Sequence, residues 1–184
     1  MISLSRGLIR TAAVTTASLT CVGAFASTVA AAPASTGGAG GRLASGVCLD
    51  VGNTRANDAK VRIWECLDHP NQEFVIDAGR VKVADTVGTA KEMCLDTGNT
   101  RNNGDRVRIW ECLRSSGGVA NQSWVVRGGA LVVENTIGAG REMCADVGNT
   151  RRNGDSVTLY QCASTNTNQK FVVQRGYIKV KDTL

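Results

Sequence analysis

The 184-residue chain contains a single histidine, His69. It lies in a short stretch with no repeated counterpart, so His-dependent nucleophilic or metal chemistry lacks its parts. No Asp or Glu occurs before Asp50. Nothing in the body of the chain has the apolar length needed to span a membrane. From Thr36 to Leu184 no segment carries a sustained helical stripe. Strong net charge is missing too. Without Arg6 and Arg10 the chain has 19 basic against 16 acidic residues, a net charge of +3. Charge so mild and evenly spread excludes a nucleic-acid surface or a polybasic membrane patch.

The acid-free start has a reading of its own. Arg6 and Arg10 precede a small and apolar run, Thr11 to Ala32, that includes Leu19, Val22 and Phe25. Small residues close it at Ala24-Phe25-Ala26 and Val29-Ala30-Ala31. This is the pattern of a secretory signal peptide over residues 1–32, cleaved about residues 26–32. Residues 33–41, Pro33 to Gly41, read as a flexible linker. A mitochondrial presequence has a similar composition, but the cysteines argue against it. Of seven, Cys21 falls in the leader, leaving Cys48, Cys66, Cys94, Cys112, Cys144 and Cys162. An even set suits an oxidising compartment, so the expected location is secreted and extracellular.

What the body does have is one unit written three times. Gly52-Asn53-Thr54-Arg55 returns at Gly98 to Arg101 and at Gly148 to Arg151. Val61-Arg62-Ile63-Trp64-Glu65-Cys66 returns unchanged at Val107 to Cys112, and as Val157 to Cys162 with Thr158 and Tyr160. Asn71-Gln72-Glu73-Phe74 returns at Asn121 to Trp124 and Asn168 to Phe171, and Val81 to Thr86 returns at Leu131 and Ile178. Val61 and Ile63 alternate with Arg62 and Trp64 in the period of a half-buried strand. Asn57-Asp58, Asn103-Gly104 and Asn153-Gly154 are tight-turn signals. About four short strands per unit, closed around a pseudo-threefold axis, make an all-β fold: a β-trefoil of twelve strands over residues 42–184. A three-bladed propeller competes but would leave little core. The repeats run about 42–79, 80–129 and 130–175. The first is short ahead of Cys48, and residues 176–184 are expected to supply its missing strand.

Each cysteine pair spans the same 18 positions. Six cysteines permit fifteen pairings, and threefold repetition favours the one within each repeat. Each staple would contribute about 3 kcal/mol in the chain-entropy model. If Cys48 and Cys66 face each other across an antiparallel pair, Asp50 lies opposite Trp64 on the disulfide's face. The same register sets Asp96 opposite Trp110 and Asp146 opposite Tyr160, while Leu49, Val51, Val61 and Ile63 point to the core. A carboxylate beside an exposed aromatic ring is suited to a sugar: the ring packs on the C–H face of a pyranose and the carboxylate takes its hydroxyls. Asn71, Asn121 and Asn168 add an amide. Gln72, Gln122 and Gln169 read as braces, and the aromatic two residues after each as a core plug. The Gly-Asn-Thr-Arg segment reads as a reused turn with no chemistry.

The compound pattern Cys-Leu-Asp, aromatic-x-Cys, Asn-Gln-x-aromatic resembles the ricin B-chain-type lectins and the carbohydrate-binding modules with Gln-x-Trp repeats, over roughly residues 41 to 184. The resemblance implies three carbohydrate sites for galactose-type glycans. The first comprises Asp50, Trp64 and Asn71 with Gln72 in support. The second comprises Asp96, Trp110, Asn121 and Gln122, and the third Asp146, Tyr160, Asn168 and Gln169. Gln-x-Trp is intact only at Gln122-Ser123-Trp124. Where the lectins often carry a Gln two residues before the aromatic, this chain has Arg62, Arg108 and Thr158, which favours an acidic or otherwise substituted glycan. Trp64 and Trp110 mark the first two sites as the stronger.

The expectation is therefore a non-catalytic, multivalent lectin binding glycans or polysaccharides, with no cofactor, no metal, no nucleic acid and no membrane insertion. Two alternatives stand beside it. One is a secreted trefoil protease inhibitor, whose only candidate loop is Leu113 to Ala120. The other is the glycan-binding subunit of a larger toxin or enzyme assembly. Glycoside hydrolysis by a carboxylate pair is disfavoured, because threefold separation puts the Asp residues in different repeats.

Overall fold

The computed structural model describes residues 46–114 and 119–184. The leader, the linker and the middle of the 113–120 loop lie outside the described residues. Twelve strands of four residues each form three four-stranded sheets, with one further two-residue strand. In chain order they are β1 (Val47–Asp50), β2 (Ala59–Lys60), β3 (Arg62–Glu65), β4 (Phe74–Asp77), β5 (Arg80–Val83), β6 (Met93–Asp96) and β7 (Arg108–Glu111). They continue as β8 (Trp124–Arg127), β9 (Ala130–Val133), β10 (Met143–Asp146), β11 (Thr158–Gln161), β12 (Phe171–Gln174) and β13 (Tyr177–Val180). The sheets run β4-β5-β6-β7, β8-β9-β10-β11 and β12-β13-β1-β3, and β2 adds to the edge of the first at β7. The third sheet joins the two ends of the chain, with β13 hydrogen bonded to β12 on one side and β1 on the other. This is the β-trefoil.

The hairpins β4-β5, β8-β9 and β12-β13 turn through two residues that both hold positive φ, as a tight turn matched to strand twist requires. These are Ala78-Gly79, Gly128-Gly129 and Arg175-Gly176. The Asn-Asp and Asn-Gly turns do something else: each reaches the next repeat. Asn57 Oδ1 accepts from Glu111 N at 2.8 Å, Asn103 Oδ1 from Gln161 N at 2.8 Å, and Asn153 Oδ1 from Glu65 N at 2.7 Å. At the axis three valines form a closed ring of main-chain bonds, Val61 N to Val107 O, Val107 N to Val157 O, and Val157 N to Val61 O, at 3.0 to 3.3 Å. This ring ties each repeat to the next by its main chain.

Strand alternation sends Leu49, Ile63, Leu95, Ile109, Ala145 and Leu159 into one core, together with Phe74, Trp124 and Phe171. Trp124 keeps its indole N–H satisfied on Leu95 O at 3.1 Å. The disulfides are the intra-repeat set, Cys48–Cys66, Cys94–Cys112 and Cys144–Cys162, with Cα separations of 5.0 to 5.1 Å.

The strand register differs from the expected one by two residues. Cys48 lies opposite Trp64 and Asp50 opposite Arg62; Asp96 lies opposite Arg108, and Asp146 opposite Thr158. Asp50, Asp96 and Asp146 therefore do not directly oppose Trp64, Trp110 and Tyr160. The second cysteine sits just past the end of its strand, so the disulfide closes diagonally. A shift of two preserves side-chain parity. Carboxylate, aromatic and disulfide still share a face, and the residue the shift brings opposite each Asp is the one at 62, 108 or 158.

Candidate functional site

Each aspartate ends its strand, and its carboxylate turns back over the loop that follows. One oxygen accepts the N–H two residues on, from Gly52, Gly98 or Gly148, at 2.7 Å in every repeat. This Asx turn needs a left-handed residue, and those glycines have φ of 63°, 68° and 70°. The other oxygen accepts from Gln72, Gln122 or Gln169 Nε2 at 3.0 to 3.2 Å. The same Nε2 donates to the carbonyl of Glu65, Glu111 or Gln161, and Oε1 accepts from the N–H of Leu67, Leu113 or Ala163. Buried and bonded at three points, each glutamine braces its aspartate and has no N–H left to offer a ligand.

The Gly-Asn-Thr-Arg segment is more than a turn. Arg55 Nη1 donates to Gly52 O at 2.7 Å, its Nη2 to Asn71 Oδ1 at 3.1 Å, and its fork grips Asp85 at 2.7 and 2.9 Å. Arg101 repeats this with Gly98, Asn121 and Asn135, and Arg151 with Gly148, Asn168 and Asp182. The amide nitrogens of Asn71, Asn121 and Asn168 donate to Asn53, Asn99 and Asn149. Each asparagine keeps one N–H and one lone pair unspent. Sequence reasoning missed these arginines; the signal was their fixed place in a tetrapeptide occurring three times.

The aromatic positions separate the repeats. In the first, Arg62 Nε donates to Asp50 Oδ1 at 2.8 Å and the guanidinium carbon stands 4.5 Å over the Trp64 ring. In the second, Arg108 Nε reaches Asp96 Oδ1 at 3.2 Å and covers Trp110 at 4.8 Å. Both are cation–π contacts. In the third repeat Thr158 reaches neither, and Tyr160 is 48% exposed. A Cβ on Gly52 or Gly98 would meet the arginine at 3.6 or 3.4 Å, whereas one on Gly148 would meet nothing within 4 Å. The space between glycine loop and aromatic ring thus holds a guanidinium in two repeats and is open in the third. Trp64 and Trp110, marked in the sequence as the stronger aromatic positions, are thus each covered by an arginine, and Tyr160 is not.

An open cleft of about 580 Å³ runs beside the first repeat, lined by Gly52, Asn53, Thr54, Asp58, Lys60 and Arg62 among others. His69 caps the short 3-10 turn ahead of Gln72, its Nδ1 accepting from Asn71 N at 3.2 Å. Asn166 does the same for Asn168 N in the third repeat and also donates to Asp146 Oδ2 at 3.1 Å. Among the described residues no cluster of His, Cys, Asp or Glu could hold a metal ion. The three aspartates stand at the ends of three different strands, one in each repeat.

Comparison with curated proteins gives no match. Among solved structures the chain is similar to a designed threefold symmetric protein, ThreeFoil, at 24% identity and a TM-score of 0.51, covering 68% of this chain and 94% of that one. It is also similar to the β-trefoil lectin of the Vibrio vulnificus hemolysin/cytolysin, solved with N-acetyl-D-lactosamine bound, at 16% identity and a TM-score of 0.47, covering 75% and 96%. The family model for the ricin-type β-trefoil lectin domain matches residues 36–171, and the chain belongs to that family.

Proposed function

We propose that the chain is a secreted, non-catalytic lectin for galactose-type glycans, and that its third repeat is the principal site for a neutral sugar. One observation carries the ranking. Asp146 Oδ1 accepts only from Gly148 N among the described residues, leaving a lone pair where Asp50 and Asp96 receive an arginine Nε. A sugar hydroxyl approaching along Tyr160 takes that position, the ring packs on the pyranose C–H face, and the spare donor and acceptor of Asn168 meet a neighbouring hydroxyl.

The test is calorimetric titration with lactose. Asp146→Ala and Tyr160→Ala are each expected to weaken binding by roughly tenfold or more, the scale of one lost charge-assisted hydrogen bond or stacking contact. Retention on galactose-agarose by a chain with Asp50, Asp96 and Asp146 all replaced by Ala would overturn the site assignment. Secretion is tested separately, by the N-terminal sequence of protein collected from culture medium, which should begin shortly after residues 26–32.

A further inference from the structure

The two arginine-bearing repeats differ at one contact. In the second, Arg108 is held twice: Nε on Asp96, and Nη1 on Asp58 Oδ1 at 3.0 Å. Asp58 belongs to the first repeat's turn, which packs on β7, and its carboxylate also takes Arg106 Nη2 at 3.0 Å on both oxygens. The Arg108 guanidinium beside Asp58 holds that carboxyl below its ordinary range. The corresponding turn residues in the other repeats are Gly104 and Gly154, which have no carboxylate. Gly154 lies against the edge of the Trp64 ring. Arg62 therefore faces a glycine where Arg108 faces an aspartate. Its only hydrogen bond among the described residues is Nε to Asp50, and its side chain is 32% exposed at the wall of the 580 Å³ cleft.

Other charges around Arg62 leave its fork unspent. Asp50 is bonded through Nε alone and braced by Gln72. Lys60, on the same cleft, donates to Gly154 O at 2.7 Å and adds a second positive charge. Asp155, at the foot of the third-repeat turn, accepts from Thr150 Oγ1 and Arg152 N. Asp58 lines the cleft but is matched by two arginines. A planar fork with free Nη donors, stacked on an indole and seated on a carboxylate through its third nitrogen, is built to take a carboxylate bidentately.

We propose that the first repeat binds an anionic glycan, with Arg62 recognising a uronate carboxylate, and that Asp58 keeps the second repeat's Arg108 from doing the same. This rests on the reading of the repeats as sugar sites and names the sugar class for one of them. The Trp64 ring, already under the guanidinium, then serves to hold the fork rather than to stack on the sugar.

The probe is trigalacturonic acid against its fully methyl-esterified form, which has the same rings without the charge. The unaltered chain at low salt should bind the acid roughly tenfold or more tightly, the scale of a charge-assisted pair, with the preference shrinking as salt rises. Arg62→Thr, which installs the third repeat's residue, should abolish the preference. Asp58→Gly suits a backbone φ of 69° and should add a second acid-selective site, raising the calorimetric stoichiometry from one to two. Acid preference surviving Arg62→Thr, or no second site in a folded Asp58→Gly chain, overturns the proposal. If the unaltered chain binds lactose but does not distinguish acid from ester, this inference alone fails. If it binds neither lactose nor the uronides, the lectin reading fails with it.

Discussion

At the scale of single residues, the side chains with the least freedom to change are the glutamines. Gln122 is fully buried and satisfies Leu113 N, Glu111 O and Asp96 Oδ2. Truncation leaves a part-buried N–H and a part-buried carbonyl without their partner and removes one support from a nearly buried carboxylate. Gln122→Ala should lower the free energy of unfolding by about 2–3 kcal/mol, read from the urea midpoint. A change below half a kcal/mol would show that water replaces the amide without cost. By contrast Trp64 and Tyr160 occupy equivalent positions with different surroundings, and the difference is set by the residue two before each. Arg62 lies over one ring; Thr158 is too short to reach the other.

At the scale of elements, the loop after each Asp-bearing strand is clamped by its own arginine to the short 3-10 turn that follows the next hairpin, at Asp85, Asn135 or Asp182. In the third repeat the clamp is Arg151 on Asp182, with contacts of 2.8 and 3.1 Å. The Arg151 guanidinium holds the Asp182 carboxyl below the ordinary carboxylate range. A carboxylate depressed in the folded state stabilises it above the unfolded value near pH 4 and ceases to do so as pH falls through the folded one. Asp182→Asn should therefore lower the thermal midpoint at neutral pH, and the gap to the unaltered chain should close as pH falls below the ordinary carboxylate range. The second repeat has Asn135 in this place, so its clamp cannot titrate, and Asn135→Ala should show no such closure. A gap that persists at low pH would assign Asp182 a role other than charge.

At the scale of the whole molecule, closure depends on the chain's last strand. β13 bridges β12 and β1, buries Ile178 and Val180, and anchors through Tyr177 Oη, whose single proton is shared between the carboxylates of Asp68 and Glu73 at 3.0 and 2.9 Å. Burial first, and then those two carboxylates, push the phenol far above its ordinary value, so it remains a donor at any physiological pH. Deleting residues 177–184 would leave β1 with an open edge and remove one of the twelve four-residue strands. The expected result is loss of cooperative unfolding and exposure of apolar surface, seen as dye binding and a vanished near-ultraviolet dichroism signal. A truncated chain with an intact sharp transition would show that the remaining strands close without it.

The sequence by itself determined what local periodicity and repetition encode. Val61, Ile63 and their copies had to be core because they alternate with polar neighbours. Three copies of a unit too small to bury its own face implied mutual closure, and the repeated interval implied pairing of cysteines within each unit. The aspartates and aromatics shared a face because parity survives any even shift in register. That shift itself was not legible, since it arises where Cys66, Cys112 and Cys162 leave their strands and close diagonally. Nor was the clamp by Arg55, Arg101 and Arg151, whose targets lie 16 to 34 residues away. The contact that separates the first two repeats was the least accessible. Asp58 meets Arg108 across 50 residues, only because threefold closure lays one repeat's turn on the next repeat's strand. Repetition wrote one unit into the chain three times, Thr158 and Tyr160 already set the third copy apart in the sequence, and packing across the repeat boundaries separated the first two.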